Sequence, residues 1–155
     1  MGNFLVVVDL QKEFAKNIKG RKIYQKAVNY VYNNKDNYSY VFAAIYKQEP
    51  REFVNMHRKL NYRECEIIEP IEFPYDQLYY HSGYSIDEYP NFGKGDVVDV
   101  IGFDTDACVL AACFDLFNKD CDLRILTKYI YSSGGDSMHN HGLAIMKRQF
   151  GKCVI

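Results

Sequence analysis

The pattern of apolar and polar positions alternates short apolar runs with longer amphipathic segments. The apolar runs are shorter than an ordinary helix and are typical of buried parallel strands, whereas the amphipathic segments show helical spacing. Strands that alternate with helices, with no linker or repeat between them, predict one α/β domain over residues 1–155 with a mainly parallel sheet. The predicted strands are residues 4–8, 40–46, 78–81, 97–101, 123–126 and 153–155, and the predicted helices include residues 21–33, 53–60 and 136–149, the last capped by Asp136.

The stretch 97–117 is typical of a buried strand followed by a helix. Its β-branched run is broken by a glycine, after which Thr105 or Asp106 can cap a helix that continues to the end of the stretch. Cys108 is therefore predicted in the first turn of a helix, just past a strand's carboxyl end, where open α/β sheets bind ligands. The positive end of a helix favours a thiolate, which indicates a nucleophile. The alternative is a small apolar residue packed at a strand–helix junction.

A carboxylate stands at the carboxyl end of the first predicted strand. Asp9 follows the apolar run of residues 4–8 directly. Carboxyl ends of parallel strands share one edge of the sheet, so Asp9 is a candidate partner for Cys108. The alternative is an ordinary turn or capping aspartate.

Composition excludes several classes of function. The 155 residues carry 19 basic and 20 acidic side chains, a net charge of -1, which is no footprint for nucleic acid or an anionic membrane. No apolar run approaches the ~20 residues of a membrane span, and no signal-peptide layout opens the chain. The five cysteines lack metal-type or Cys-x-x-Cys spacing, which favours free thiols in a cytoplasmic protein. No glycine-rich phosphate loop follows the first strand.

Two motifs resemble one known family. Residues 6–14, Val-Val-Val-Asp-Leu-Gln-Lys-Glu-Phe, are similar to the opening of the isochorismatase-like cysteine hydrolases, which include nicotinamidases. Residues 101–109, Ile-Gly-Phe-Asp-Thr-Asp-Ala-Cys-Val, resemble that family's Gly-x-x-Thr-x-x-Cys-Val segment. The downstream order also fits, with Asp115 in the helix, then a strand, serines 132 and 133, and His141 near the start of the last helix.

The resemblance implies both a fold and a chemistry. It implies a three-layer α/β/α sandwich, Rossmann-like, with an about six-stranded, mainly parallel sheet. It also implies hydrolysis of a C–N bond in a small amide or N-carbamoyl compound, or of a vinyl ether, without a cofactor. Cys108 falls on the nucleophile and Asp9 on the general base. The amides of Asp104 and Cys108 fall on the oxyanion donors, and a cis peptide is expected between Phe103 and Asp104.

The sequence departs from the family at the third catalytic position. Histidine stands there instead of lysine, in the segment of residues 81–85. Three alternatives follow from this change: His81 acts as acid or base, Lys47 or Lys128 supplies the cation from another strand end, or the chain is a catalytically silent relative that binds a small molecule or a protein. Either lysine can also be an ordinary solvated charge.

The metal site of nicotinamidases is a second departure. Their Asp-x-His group follows the second strand, and residues 46–51 here lack that spacing, so we expect no metal. His57, His139 and His141 are interpreted as surface or capping residues. We expect a small-molecule substrate and an assembly that is a dimer or larger. Besides the catalytic and oxyanion positions, the residues predicted to line the substrate pocket are Gln11, Phe14, Lys47, Tyr84, Thr105 and Lys128.

Overall fold

The computed structural model describes residues 1–47 and 71–155. The predicted helix at 53–60, together with Cys65 and His57, lies outside the described residues. Five parallel strands form one sheet in the order β3-β2-β1-β4-β5. The strands are Asn3–Val8 (β1), Tyr40–Tyr46 (β2), Gln77–His81 (β3), Val97–Phe103 (β4) and Asp122–Tyr131 (β5).

Helices cover both faces of this sheet. The helices of the described residues are Ile18–Asn34 (α1), Cys108–Phe117 (α2) and Gly135–Phe150 (α3). Alternate side chains of β1 point to opposite faces, so Leu5 and Val7 share a buried cluster with α1, while Val6 and Val8 share one with α2 and α3. This confirms the predicted three-layer α/β/α sandwich. Among the described helices, none is long and apolar enough to cross a membrane.

The chain end differs from the prediction of a sixth strand. A 3-10 turn at Gly151–Cys153 takes up the first residue of the predicted strand 153–155, which leaves the last two residues to pair. Val154 forms a single parallel bridge to Ile125, and Ile155 exchanges backbone hydrogen bonds with β5. The described sheet therefore has five strands and one added bridge.

Several helix and strand boundaries differ from the predicted ones. Helix α1 begins at Ile18, before the predicted start at residue 21, because the Asn17 side chain accepts a hydrogen bond from the Gly20 N–H at 2.7 Å. Strand β5 extends beyond the predicted residues 123–126 to Tyr131, and its pairing with β4 has a register shift between Val100 and Gly102. The predicted cap at Asp136 was wrong, since Gly134 precedes the helix and Asp136 lies in its first turn.

Candidate active site

The carboxyl ends of β1, β3 and β4 supply the candidate residues. Asp9 directly follows β1 and is fully buried. Its φ of 46° lies in the left-handed region, which aspartate tolerates better than most residues but which is still uncommon away from functional sites. The Asp9 N–H donates to the carbonyl of Ala44 at 2.8 Å, so β2 holds this backbone in place.

His81, the last residue of β3, contacts Asp9 across the end of β2. Its Nε2 lies 2.7 Å from Asp9 Oδ1, and its Nδ1 lies 2.9 Å from the carbonyl oxygen of Gly83. The side chains are 2% and 0% exposed, so the pair is shielded from water. A carbonyl oxygen cannot donate, and a carboxylate oxygen is an acceptor when ionised. Both ring nitrogens therefore face acceptors, which is the arrangement that an imidazolium satisfies.

Electrostatics agree with this assignment. Burial disfavours the charged ring, but the hydrogen bond and negative charge of Asp9 outweigh it and raise the pKa of His81 above its ordinary value. A protonated His81 gives the site a cation beside the carboxylate, as the family's lysine would. Lys47 is exposed, with its ammonium 5.6 Å from the centre of the Tyr80 ring, and Lys128 is exposed on β5. Among the described residues, the cation hydrogen-bonded to Asp9 is thus His81.

The two oxygens of the Asp9 carboxylate have different environments. Among the described residues, Asp9 Oδ2 is buried without a hydrogen-bond partner. An unsatisfied buried carboxylate oxygen is costly, about 1–3 kcal/mol or more for a charged group, and such groups are concentrated at functional sites. Asp9 can therefore accept a proton through Oδ2 while His81 holds Oδ1.

Cys108 is the first residue of α2 and is 7% exposed. The peptide bond between Phe103 and Asp104 is cis, as the resemblance implied. The carbonyl of Asp104 accepts from the N–H groups of Ala107 and Val109, both at 3.0 Å, which turns the chain into the helix. Cys108 thus lies at the positive end of a helix on the sheet edge that also carries Asp9.

The predicted cap of α2 was wrong. No side chain caps this helix, and Ala107 occupies the capping position. Thr105 and Asp106 instead bond to the segment that follows β5: the Thr105 hydroxyl lies 2.8 Å from His139 Nδ1, and Asp106 accepts from the Ser132 hydroxyl. Thr105 and Asp106 are therefore held by distant residues, and the capping position is filled by an alanine, whose side chain has no oxygen to accept from the helix.

Strands β1 and β4 approach closely just before the site. Gly102, whose partner in β1 is Val8, has φ +125°, and a Cβ there would lie 1.8 Å from the Val8 carbonyl oxygen. The carboxyl group of Asp104 is close to other acidic groups. Burial raises its pKa, and the negative charges of Asp106 and Asp9 raise it further, whereas the hydrogen bonds from Ser133 lower it. The loop before Cys108 therefore lies within the electrostatic reach of Asp9.

The predicted pocket residues have distinct environments. Both amide atoms of Gln11 hydrogen-bond the backbone of Tyr46, at 2.9 and 3.2 Å, so Gln11 fixes the end of β2. Phe14 packs edge-on against Tyr46. Tyr84 is largely exposed in the loop after β3. Thr105 is fully buried, which makes it a support of the loop before Cys108.

The interpretation of His139 as a surface or capping residue was wrong, because it is 8% exposed and bonds Thr105. The sequence held a signal for this: residues 139, 142 and 146 follow helical spacing and form the buried side of α3. His141, by contrast, is exposed. His139 was predicted at the surface because most of its neighbours in the sequence are polar.

The resemblance to nicotinamidases implies a site for a divalent metal ion, and the described residues do not form such a site. Among residues 1–47 and 71–155, no three His, Cys, Asp or Glu side chains are arranged to hold an ion. Residues 48–51 and His57 lie outside that part of the chain.

Comparison with known proteins identifies the fold. No protein-family model matches the chain, and no curated protein matches it. Solved structures match along its length. The nicotinamidase of Bacillus subtilis is similar with a TM-score of 0.74 and 17% identity, over 99% of each chain. An isochorismatase-like hydrolase from Alkaliphilus metalliredigens gives 0.70 and 13%, over 96% of this chain and 92% of that one.

A third structure, the pyrazinamidase of Pyrococcus horikoshii in complex with zinc, gives a TM-score of 0.66 and 16% identity over 98% and 96% of the two chains. At identities this low, the structural similarity shows a shared fold and no more. The chain therefore has the fold of the nicotinamidases and isochorismatase-like hydrolases, as the two sequence motifs implied.

Proposed function

We propose that this protein is a cysteine hydrolase of the isochorismatase-like family that cleaves the C–N bond of a small amide or N-carbamoyl compound. The observation that carries the proposal is the Asp9 carboxylate, held by His81 through one oxygen and unpartnered at the other among the described residues. It lies on the same sheet edge as Cys108, the first residue of α2.

The proposed reaction follows from these positions. Asp9 Oδ2 takes the proton of the Cys108 thiol as Sγ attacks the substrate carbonyl carbon. The N–H groups of Asp104 and Cys108 stabilise the resulting oxyanion. The C–N bond then breaks, and the leaving nitrogen takes the proton from Asp9. Asp9 then takes a proton from water as the water oxygen attacks the thioester carbonyl carbon. The C–S bond breaks, the acid is released, and Asp9 returns the proton to Sγ, which restores the thiol.

His81 takes the place of the family's lysine in this scheme. Its imidazolium balances the buried Asp9 charge and orients the carboxylate. The reaction then requires a protonated His81, unlike a Cys-His site in which a neutral imidazole is the base.

The experiment measures ammonia release from a panel of amides and N-carbamoyl compounds. Cys108→Ala and Asp9→Asn should each remove nearly all activity, since such groups act as a unit. His81→Ala should lower activity on the order of 10²-fold or more, whereas His81→Lys should retain or raise it. His141→Ala is the matched control, because this histidine is exposed.

The second candidate is a catalytically silent relative, which the replacement of lysine by histidine favours. It predicts that neither the wild type nor His81→Lys hydrolyses any compound of the panel. Binding of a panel compound without turnover, measured by calorimetry, would then replace the hydrolase proposal.

The protein's surroundings are also proposals. We propose a cytoplasmic enzyme that acts on a small molecule, without nucleic-acid or membrane partners, and assembles at least as a dimer. Exposed aromatic side chains on α2, Phe114 and Phe117, offer apolar surface for such contacts. Sedimentation as a monomer at micromolar concentration would refute the dimer.

A further inference from the structure

The loop between the cis peptide and Cys108 is held by one other segment of the chain. Each of its residues 104–106 bonds a residue between 132 and 139. The Asp104 carboxylate accepts from the N–H and hydroxyl of Ser133, both at 2.6 Å. With the bonds from Asp106 and Thr105 described above, three consecutive side chains are tied to the end of β5 and the start of α3.

The bond between Thr105 and His139 is the most shielded of the three. Thr105 is fully buried, and its N–H donates to the carbonyl of Tyr131 at 3.1 Å. The ring of His139 packs 5.0 Å from the ring of Tyr131, centre to centre. Both ends of Thr105, backbone and hydroxyl, are thus fixed by residues that play no part in the proposed reaction.

Helix α3 contacts the same loop through its backbone. Gly142 lies one turn after His139, and a Cβ there would be 2.7 Å from the Thr105 carbonyl oxygen and 2.9 Å from the Asp106 nitrogen. The absence of a side chain at Gly142 lets the helix approach the loop directly. His139 and Gly142 of α3 therefore both contact this loop.

We propose that His139 is a positioning residue that acts through Thr105 to hold the loop before Cys108, so that the Cys108 thiol and the oxyanion N–H groups keep their geometry. This inference rests on the proposed function. A displacement of this loop by about 1 Å can cost on the order of 10²-fold in rate, although neither Thr105 nor His139 has a part in the proposed reaction. The loss should appear in kcat rather than KM.

The test replaces the hydroxyl without changing the side chain's shape. Thr105→Val should lower kcat on the order of 10-fold to 10²-fold with little change in KM. It should also shift the pH midpoint of Cys108 alkylation by iodoacetamide, located by peptide mass mapping. Thr105→Ser, which keeps the hydroxyl, should restore both values. Thr127→Val is the matched control, since its hydroxyl bonds the carbonyl of Ile155 on the exposed edge.

Two results would overturn the inference: a Thr105→Val enzyme with unchanged kcat and alkylation midpoint, or a Thr105→Ser enzyme as impaired as Thr105→Val. If Thr105→Val does not fold, His139→Leu and His139→Asn replace the pair, because only asparagine keeps a hydrogen-bonding atom near the original Nδ1. The alkylation measurement needs no turnover. A wild type without hydrolase activity therefore refutes the proposed function, while the alkylation results still decide the role of His139.

Discussion

The buried pair of Asp9 and His81 makes a quantitative prediction about stability. His81→Ala leaves the Asp9 carboxylate in the protein interior without the cation that its Oδ1 contacts at 2.7 Å. Because both side chains are almost completely shielded, the cost of breaking such a pair is about 3–5 kcal/mol. That is a large share of the roughly 5–15 kcal/mol that stabilises a domain. Urea unfolding, followed by circular dichroism, measures the difference.

A second variant separates the charge from the lost packing. In the His81→Ala background, Asp9→Asn removes the uncompensated charge and should recover part of the lost free energy of unfolding. The double variant also provides a reference in which neither group of the pair titrates.

The pair's contribution should depend on pH with a definite sign. The pKa of His81 is raised in the folded protein. A group whose pKa is raised by folding contributes stability that is fully present below its unfolded pKa, about 6.5 for histidine. This stability is lost as pH rises through the folded pKa. The free energy of unfolding is measured against pH for the wild type and for the double variant. Their difference cancels the contributions of other titrating groups such as His139. The reasoning fails if this difference is flat or grows above pH ~6.5, or if His81→Ala costs less than about 1 kcal/mol.

Three further outcomes are expected. Hydrolysis should be lost as pH rises through the raised pKa of His81, and His81→Lys should move that loss to higher pH in a pH–rate profile; a rate that instead rises over the same range would make neutral His81 the base. Iodoacetamide near neutral pH should modify Cys108 before Cys113, whose thiol pKa is raised by burial, and mass mapping that finds Cys113 first would contradict this. Gly102→Ala should destabilise the protein by about 4 kcal/mol or more in urea, because its Cβ would overlap the Val8 carbonyl; a loss below about 1 kcal/mol would show that β1 and β4 separate easily.

Local patterns in the sequence were sufficient for the α/β class with a mainly parallel sheet and for the position of Cys108, whereas the three layers were implied by the family resemblance. The run that became β2 matched the predicted residues 40–46, since a fully buried parallel strand is continuously apolar. The placement of Cys108 in the first turn of a helix followed from a strand, a glycine and helical spacing. The residues that determine each of these features are close in sequence, so the features can be predicted from local patterns.

The sequence alone determined that Asp9 and Cys108 stand at strand ends, because periodicity and strand length are local properties. Only the tertiary structure decided that β2 lies between β1 and β3, which lets His81 reach Asp9 from 72 positions away. Whether His81, Lys47 or Lys128 would contact that carboxylate depended on strand order and side-chain direction. The buried environment of His139 likewise came from the packing of α3 on the loop before Cys108, a contact between distant segments that no local pattern encodes.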